Sequence, residues 1–217
     1  MFDLGADLRP VHALFADDPL LSRAIALHPG LRVPCCWDGF ELAVRAVLGQ
    51  QISVAGATTL ARRLVETWGE QHAGEAAQIG LDRSFPSPER LRDAPLETIG
   101  LPRTRAATLR ALSAAVVNGQ LSFEAGQRLD DFVERAVALP GIGAWTAQYI
   151  AMRALALPDA FPAGDLVLQQ RLGPGAGVAR LSERATEARS QVWRPWRAYA
   201  VLHLWHLPAP LVQENAA

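Results

Sequence analysis

The chain has 217 residues and no lysine: its 21 Lys+Arg positions are all arginine. That absence excludes chemistry run through a side-chain amine. A phosphate-binding P-loop needs its Lys, and Schiff-base catalysis needs a Lys amine unless the α-amino group of Met1 substitutes. Cysteine is scarce as well. Cys35 and Cys36 are adjacent and have no further partners, so the chain cannot supply a disulfide framework or a four-cysteine metal or iron–sulfur site. No apolar run reaches transmembrane length. The start, Met1-Phe2-Asp3-Leu4, lacks the basic region and apolar core of a signal peptide, so a cytoplasmic protein with no membrane partner is expected. Charge of one sign is missing too, the formal net charge being −1. That balance argues against holding nucleic acid through a broad basic surface, but not against a few local contacts.

What is present is helical periodicity. Asp38 to Gln50 places Phe40, Ala43, Val44, Val47 and Leu48 on one face, and Val54 to Trp68 repeats the pattern with Leu60, Leu64 and Trp68. Residues 104–118 follow with Leu109, Leu112 and Val116, and Gly119 stands where a helix would stop. The spacing predicts further helices over 130–138, 144–155, 165–172, 182–192 and 195–207. Gly30 to Cys36 is too short and too broken by proline to read as a strand. The expected fold class is all-α, about ten short helices. Ser84 to Pro88 and Gly173 to Gly177 read as turns rather than linkers, so two lobes would share the chain by exchange, not by a simple cut.

Leu139-Pro140-Gly141-Ile142-Gly143 separates two of these helices. Proline fixes φ, glycine admits conformations closed to other residues, and glycines let a phosphate approach backbone N–H groups. The helix beginning at Ala144 then presents its positive end to that phosphate. This is a helix–hairpin–helix pattern suited to gripping a DNA backbone through Gly141, Gly143 and Thr146; a plain tight turn is the alternative. Beyond it, Trp145 and Tyr149 lie four apart on one helical face. Next come Phe161-Pro162-Ala163-Gly164-Asp165 and, near the end, the Trp-rich stretch from Trp193 to Trp205.

Hairpin, aromatic helix, Gly/Pro loop with one Asp and Trp-rich closing helix together resemble the helix–hairpin–helix DNA glycosylases, particularly the bacterial 3-methyladenine glycosylase group. The upstream run from Gly39 to Val54 is similar as well, so the resemblance covers nearly the whole chain. It implies two helical lobes, residues 40–157 carrying the hairpin and residues 1–39 with 158–217 forming the second, with the active site in a cleft between them. It also implies that the chain lacks the N-terminal β-rich domain of the bacterial enzymes, which would leave the pocket more open and the substrate range broader.

The resemblance assigns Asp165 as the catalytic carboxylate. Breaking an N-glycosidic bond develops positive charge on the sugar, which a fixed negative charge stabilises, and the same group can orient or deprotonate the attacking water. Asp165 also stands where Asp caps a helix, over residues 166–172. Trp145, Tyr149 and Trp205 match the family's aromatic pocket, where a cationic alkylated purine gains roughly 0.5–2 kcal/mol per ring; core packing is the alternative for each. Gln51 falls at the family's apolar wedge, which fills the gap left by a flipped base. By resemblance, the backbone carbonyls of Val137, Leu139 and Gly141 would hold a monovalent cation, and no other cofactor is required. His203 and His206 lack a visible third ligand and read as a structural or exposed pair. Trp37, Trp68, Trp196 and Tyr199 are expected in the core, and Cys35 and Cys36 as buried small side chains.

The implied activity is that of a monomeric, monofunctional DNA glycosylase acting on double-stranded DNA that contains alkylated bases such as 3-methyladenine and 7-methylguanine. A bifunctional glycosylase–lyase of the same superfamily carries a Lys near the position of Trp145, and often a cysteine-ligated cluster; both are missing here. A non-catalytic helix–hairpin–helix module, the rival from another class, has no use for Asp165 or for the aromatic residues.

Overall fold

A computed structural model describes residues 1–173 and 180–208, the side chain of Ala76 apart. The turn expected at 173–177 lies, after Gly173, outside them. Among the described residues the regular structure is helical, apart from an isolated β-bridge between Gln71 and Arg83. Along the chain run α1 (Arg9–Phe15), α2 (Pro19–Leu27), α3 (Gly39–Leu48), α4 (Val54–Trp68), α5 (Glu75–Gln78), α6 (Pro88–Arg92), α7 (Arg103–Val117), α8 (Leu129–Val137), α9 (Ala144–Ala154), α10 (Leu166–Arg171), α11 (Glu183–Ser190) and α12 (Arg197–His206). The chain falls into two compact units, Asp38–Ile150 and Met1–Trp37 with the chain from Ala151 onward.

Side-chain caps set the helix starts. Asp18 Oδ1 accepts from Leu20 and Leu21 N–H at the head of α2, Asp38 from Glu41 N–H at α3 and Ser53 from Gly56 N–H at α4. Each satisfies a donor with no intrahelical partner. This is why α3 begins one residue later than its periodicity suggests: Asp38 is its cap, not its first turn. Gly119, with φ +69°, ends the α7 segment as its position predicts. The amino-terminal helices α1 and α2 carry no long periodic stretch, and their sequence signal is a Pro in the first turn of each.

In the central unit α7 is the strut against which α3 and α6 pack. Leu48, Leu64, Leu91, Leu96, Leu109, Leu112 and Phe132 are fully buried there, each worth about 1.5–3 kcal/mol of removed apolar surface. In the unit formed by the chain ends, α12 packs on α2 and α10. Arg197, 2% exposed, is paired with Asp159 and Glu187, so its charge is compensated where it is buried. Asp18 accepts from Trp193 Nε1 at 2.9 Å as well as from Arg189, joining the start of α2 to the segment before α12.

Several expected core residues lie elsewhere. Trp37 is 92% exposed, because it sits outside any helix, one residue before the Asp38 cap. Trp68 and Trp196 are half-buried, as are Cys35 and Cys36, while Tyr199 is buried as expected.

Candidate active site

The hairpin lies in the central unit, between α8 and α9. Ile142 N–H donates to Leu139 O at 3.2 Å to close its turn, and Gly143 O accepts from Ala147 N–H at 3.0 Å to open α9. The two glycines serve different purposes. Gly141 has φ +83°, and a Cβ there would drive into the Thr108 hydroxyl on α7. Gly143 has no such φ, and a Cβ on it would meet nothing within 4 Å. The bareness of Gly143 therefore answers no need inside the chain.

On α9 the rings of Trp145 and Tyr149 stack on each other, centroids 5.2 Å apart and planes 9° from parallel. Both are half-buried. A cavity of about 280 Å³ opens beside Tyr149, rimmed by Arg45, Gly49, Ile52 and Val54. Thr146, expected to touch DNA, turns inward instead: it is 4% exposed and its hydroxyl accepts from Gln50 Nε2 at 3.1 Å. Gln51 is exposed and held at φ +56°, in the left-handed region that non-glycine residues seldom occupy. Gln50, which the sequence reading passed over, ties this loop to the hairpin through a further bond from Nε2 to Gly141 O at 3.1 Å.

In the other unit, Asp165 caps α10, its Oδ1 accepting from Leu168 N–H at 3.0 Å. The same Oδ1 accepts from Trp205 Nε1 at 3.1 Å. Trp205 thus holds the carboxylate as well as offering a ring, a role its place in the sequence did not disclose. The pairs expected to form one pocket are therefore each formed within its own unit: Trp145 with Tyr149, and Asp165 with Trp205.

The hairpin carbonyls are hard oxygen donors of the kind that suits an alkali cation. Leu139 O already accepts from Ile142 N–H, and Gly141 O from Gln50, each with a second lone pair remaining. Among the described residues no group of three or more His, Cys, Asp or Glu could hold a metal ion. His203 is buried, and His206 is exposed with Nδ1 2.8 Å from Leu202 O. Among the described residues no helix is long and apolar enough to cross a membrane.

Glycine hairpin, capping aspartate and paired aromatics stand on an all-helical frame of the helix–hairpin–helix type. The sequence profile described as HhH-GPD superfamily base excision DNA repair protein matches residues 44–197, and the chain belongs to that superfamily. Residues 1–38, which hold α1 and α2, match the profile described as AlkA N-terminal domain. The chain is 40% identical over 209 residues to a Mycobacterium tuberculosis protein named probable bifunctional transcriptional activator/DNA repair enzyme AlkA, covering 94% of this chain and 40% of that protein. It is 38% identical over 189 residues to DNA-3-methyladenine glycosylase 2 of Escherichia coli, covering 86% and 64% respectively. The chain thus spans less than two thirds of the length of either relative. Its fold is similar to a crystal structure of DNA-3-methyladenine glycosidase from Bacillus halodurans, with a TM-score of 0.71, 25% identity, and 92% and 88% of the two chains covered.

Proposed function

We propose that this chain is a monofunctional DNA glycosylase of base excision repair. It hydrolyses the N-glycosidic bond of alkylated bases, 3-methyladenine and 7-methylguanine among them, in nucleotides flipped out of duplex DNA, and leaves an abasic site. The observation that carries the reading is the fixed carboxylate of Asp165, held by the Leu168 amide and the Trp205 indole. The names of the Escherichia coli and Bacillus halodurans relatives support the substrate class.

A purine alkylated at N3 or N7 carries positive charge, so it departs as a neutral base and needs little acid assistance. As the bond to C1′ breaks, its electron pair stays with the base nitrogen and positive charge grows on the sugar. Asp165 stabilises that charge. Water then adds to C1′ and gives up its proton, to Asp165 or to solvent. Trp145 and Tyr149 attract the cationic base by stacking and cation–π terms, and Trp205 adds its ring to the carboxylate it holds.

Duplex DNA is gripped at the hairpin, where Gly143 and the first amides of α9 meet a phosphate, with Gln51 as the wedge. The protein acts as a monomer in the cytoplasm. A monovalent cation on the carbonyls of Val137, Leu139 and Gly141 would stiffen the hairpin, and no other cofactor takes part.

The test is release of free 3-methyladenine and 7-methylguanine from methylated DNA by the native chain and by Asp165→Asn. Release by the native protein, and its loss in the variant, is the expected result. No release by the native chain, or undiminished release by the variant, overturns the reading and leaves a DNA-binding module.

A further inference from the structure

Gln51 stands in the left-handed backbone region, at φ +56°, which non-glycine residues seldom occupy. Such a residue persists only where its surroundings over-determine it, and the surroundings here are the bonds of its neighbour. Gln50 Nε2 donates to Gly141 O and to Thr146 Oγ1, each at 3.1 Å. Gly141 O can only accept, which fixes which way round the amide lies, and both of its N–H groups are then used. The backbone oxygen of Gln50 accepts in turn from Arg105 at 2.6 Å.

Arg105 belongs to the same face of α7 as Thr108, three residues on. Thr108 lies directly beneath Gly141. One helix face therefore seats both the hairpin and the loop bearing Gln51, and Gln50 closes the third side between them. The same loop supplies Gly49 and Ile52 to the rim of the cavity beside Tyr149.

We infer that Gln50, anchored by Arg105, is a positioning residue that locks the Gln51 loop in register with the phosphate-gripping hairpin, so that insertion of Gln51 into the duplex is tied to the backbone grip. This rests on the glycosylase reading above. Gln50 touches neither the base nor the sugar; it acts through Gln51. Its contribution belongs to substrates whose base must be extracted from a stack, and not to a base already unstacked.

The test compares release of 3-methyladenine from a methylated strand, single-stranded and in duplex, by the native chain, Gln50→Leu, Gln51→Ala and the double variant. Leucine keeps the bulk of Gln50 and removes its donors. Gln50→Leu should lower release from duplex by about tenfold, the effect of one or two lost hydrogen bonds, with much less change on the single strand. The double variant should be no slower than Gln51→Ala alone. Native-rate release from duplex by Gln50→Leu, equal losses on both substrates, or multiplying effects in the double variant would each overturn the proposal.

Should Gln50→Leu fail to fold, Arg105→Met breaks the other side of the brace, with the same expected selectivity for duplex. If the native chain releases no base from either substrate, the glycosylase reading falls by itself. Amide hydrogen exchange then judges the brace: residues 49–53 should exchange faster in the variant while α7 is unchanged, and unchanged exchange in the loop overturns the lock.

Discussion

The indole Nε1 of Trp205 donates to Oδ1 of Asp165 across 3.1 Å, joining α12 to the cap of α10. The bond makes Trp205 more than an aromatic wall. A hydrogen bond to a charged group is worth about 1.5–3 kcal/mol, and in the proposed reaction it would hold the carboxylate toward the developing positive charge. Trp205→Phe keeps a ring and loses the N–H. Its single-turnover excision rate should fall by about tenfold or more, with substrate affinity little changed. A variant that lost affinity alone would assign Trp205 to stacking only.

The choice of substitution at Asp165 separates chemistry from folding. Asparagine caps helices about as well as aspartate, so Asp165→Asn should keep the native melting temperature while losing base release. Asp165→Ala removes the acceptor for Leu168 N–H and should cost about 1 kcal/mol of stability in addition. Thermal melts of the two variants, run beside the excision assay, check this. Equal destabilisation would mean that the cap carries no weight.

The two hairpin glycines should part company in the same way. Gly141→Ala forces a side chain into φ +83° and onto Thr108, and should lower the melting temperature through strain of about 1 kcal/mol or more. Gly143→Ala meets nothing inside the protein, so its stability should be native. Its loss should appear in affinity for undamaged duplex DNA, by about tenfold if one charge-assisted phosphate contact goes. Native DNA affinity in Gly143→Ala would remove the phosphate from that position.

Much of this was legible from local pattern. The α4 and α9 segments follow apolar spacing, Asp165 is a cap because Asp is a preferred capping residue, and Trp145 and Tyr149 stack because four residues make one turn. What could not be read locally is which distant group a side chain meets. Gln50 reaches a carbonyl 91 residues away, and Trp205 a carboxylate 40 residues away. Nothing in a run of Gly49-Gln50-Gln51 says which glutamine turns inward. Thr146 looked like a surface contact for the same reason. Trp37 was misplaced because hydrophobicity alone, without a helical frame, does not set burial.

The missing lysine supports a prediction about the reaction's course. A glycosylase that also cuts the strand does so through an amine bonded to the sugar, and no side-chain amine of that kind exists in this chain. Incubation with methylated duplex and sodium borohydride should trap no protein–DNA adduct, and strand breaks should appear only after alkali. A trapped adduct would point to the terminal amine of Met1 as nucleophile and end the monofunctional reading.

His203 predicts a pH dependence of folding. Burial in the packing of α12 on α2, with the imidazoles of His12, His28 and His206 nearby, pushes its pKa down from the ordinary 6.5 to about 4. The native state thus keeps this ring neutral, while the unfolded chain protonates it below pH 6.5. Between pH 6.5 and 4 the unfolded state binds the extra proton, so this contribution to stability is whole at neutral pH and is lost as pH falls through that window. The melting temperature should drop across it, and His203→Leu should flatten the drop. Because α12 also carries Trp205, excision should decline over the same range in the native chain and less so in the variant. A melting profile whose slope His203→Leu leaves intact would show that other groups govern the acid limb.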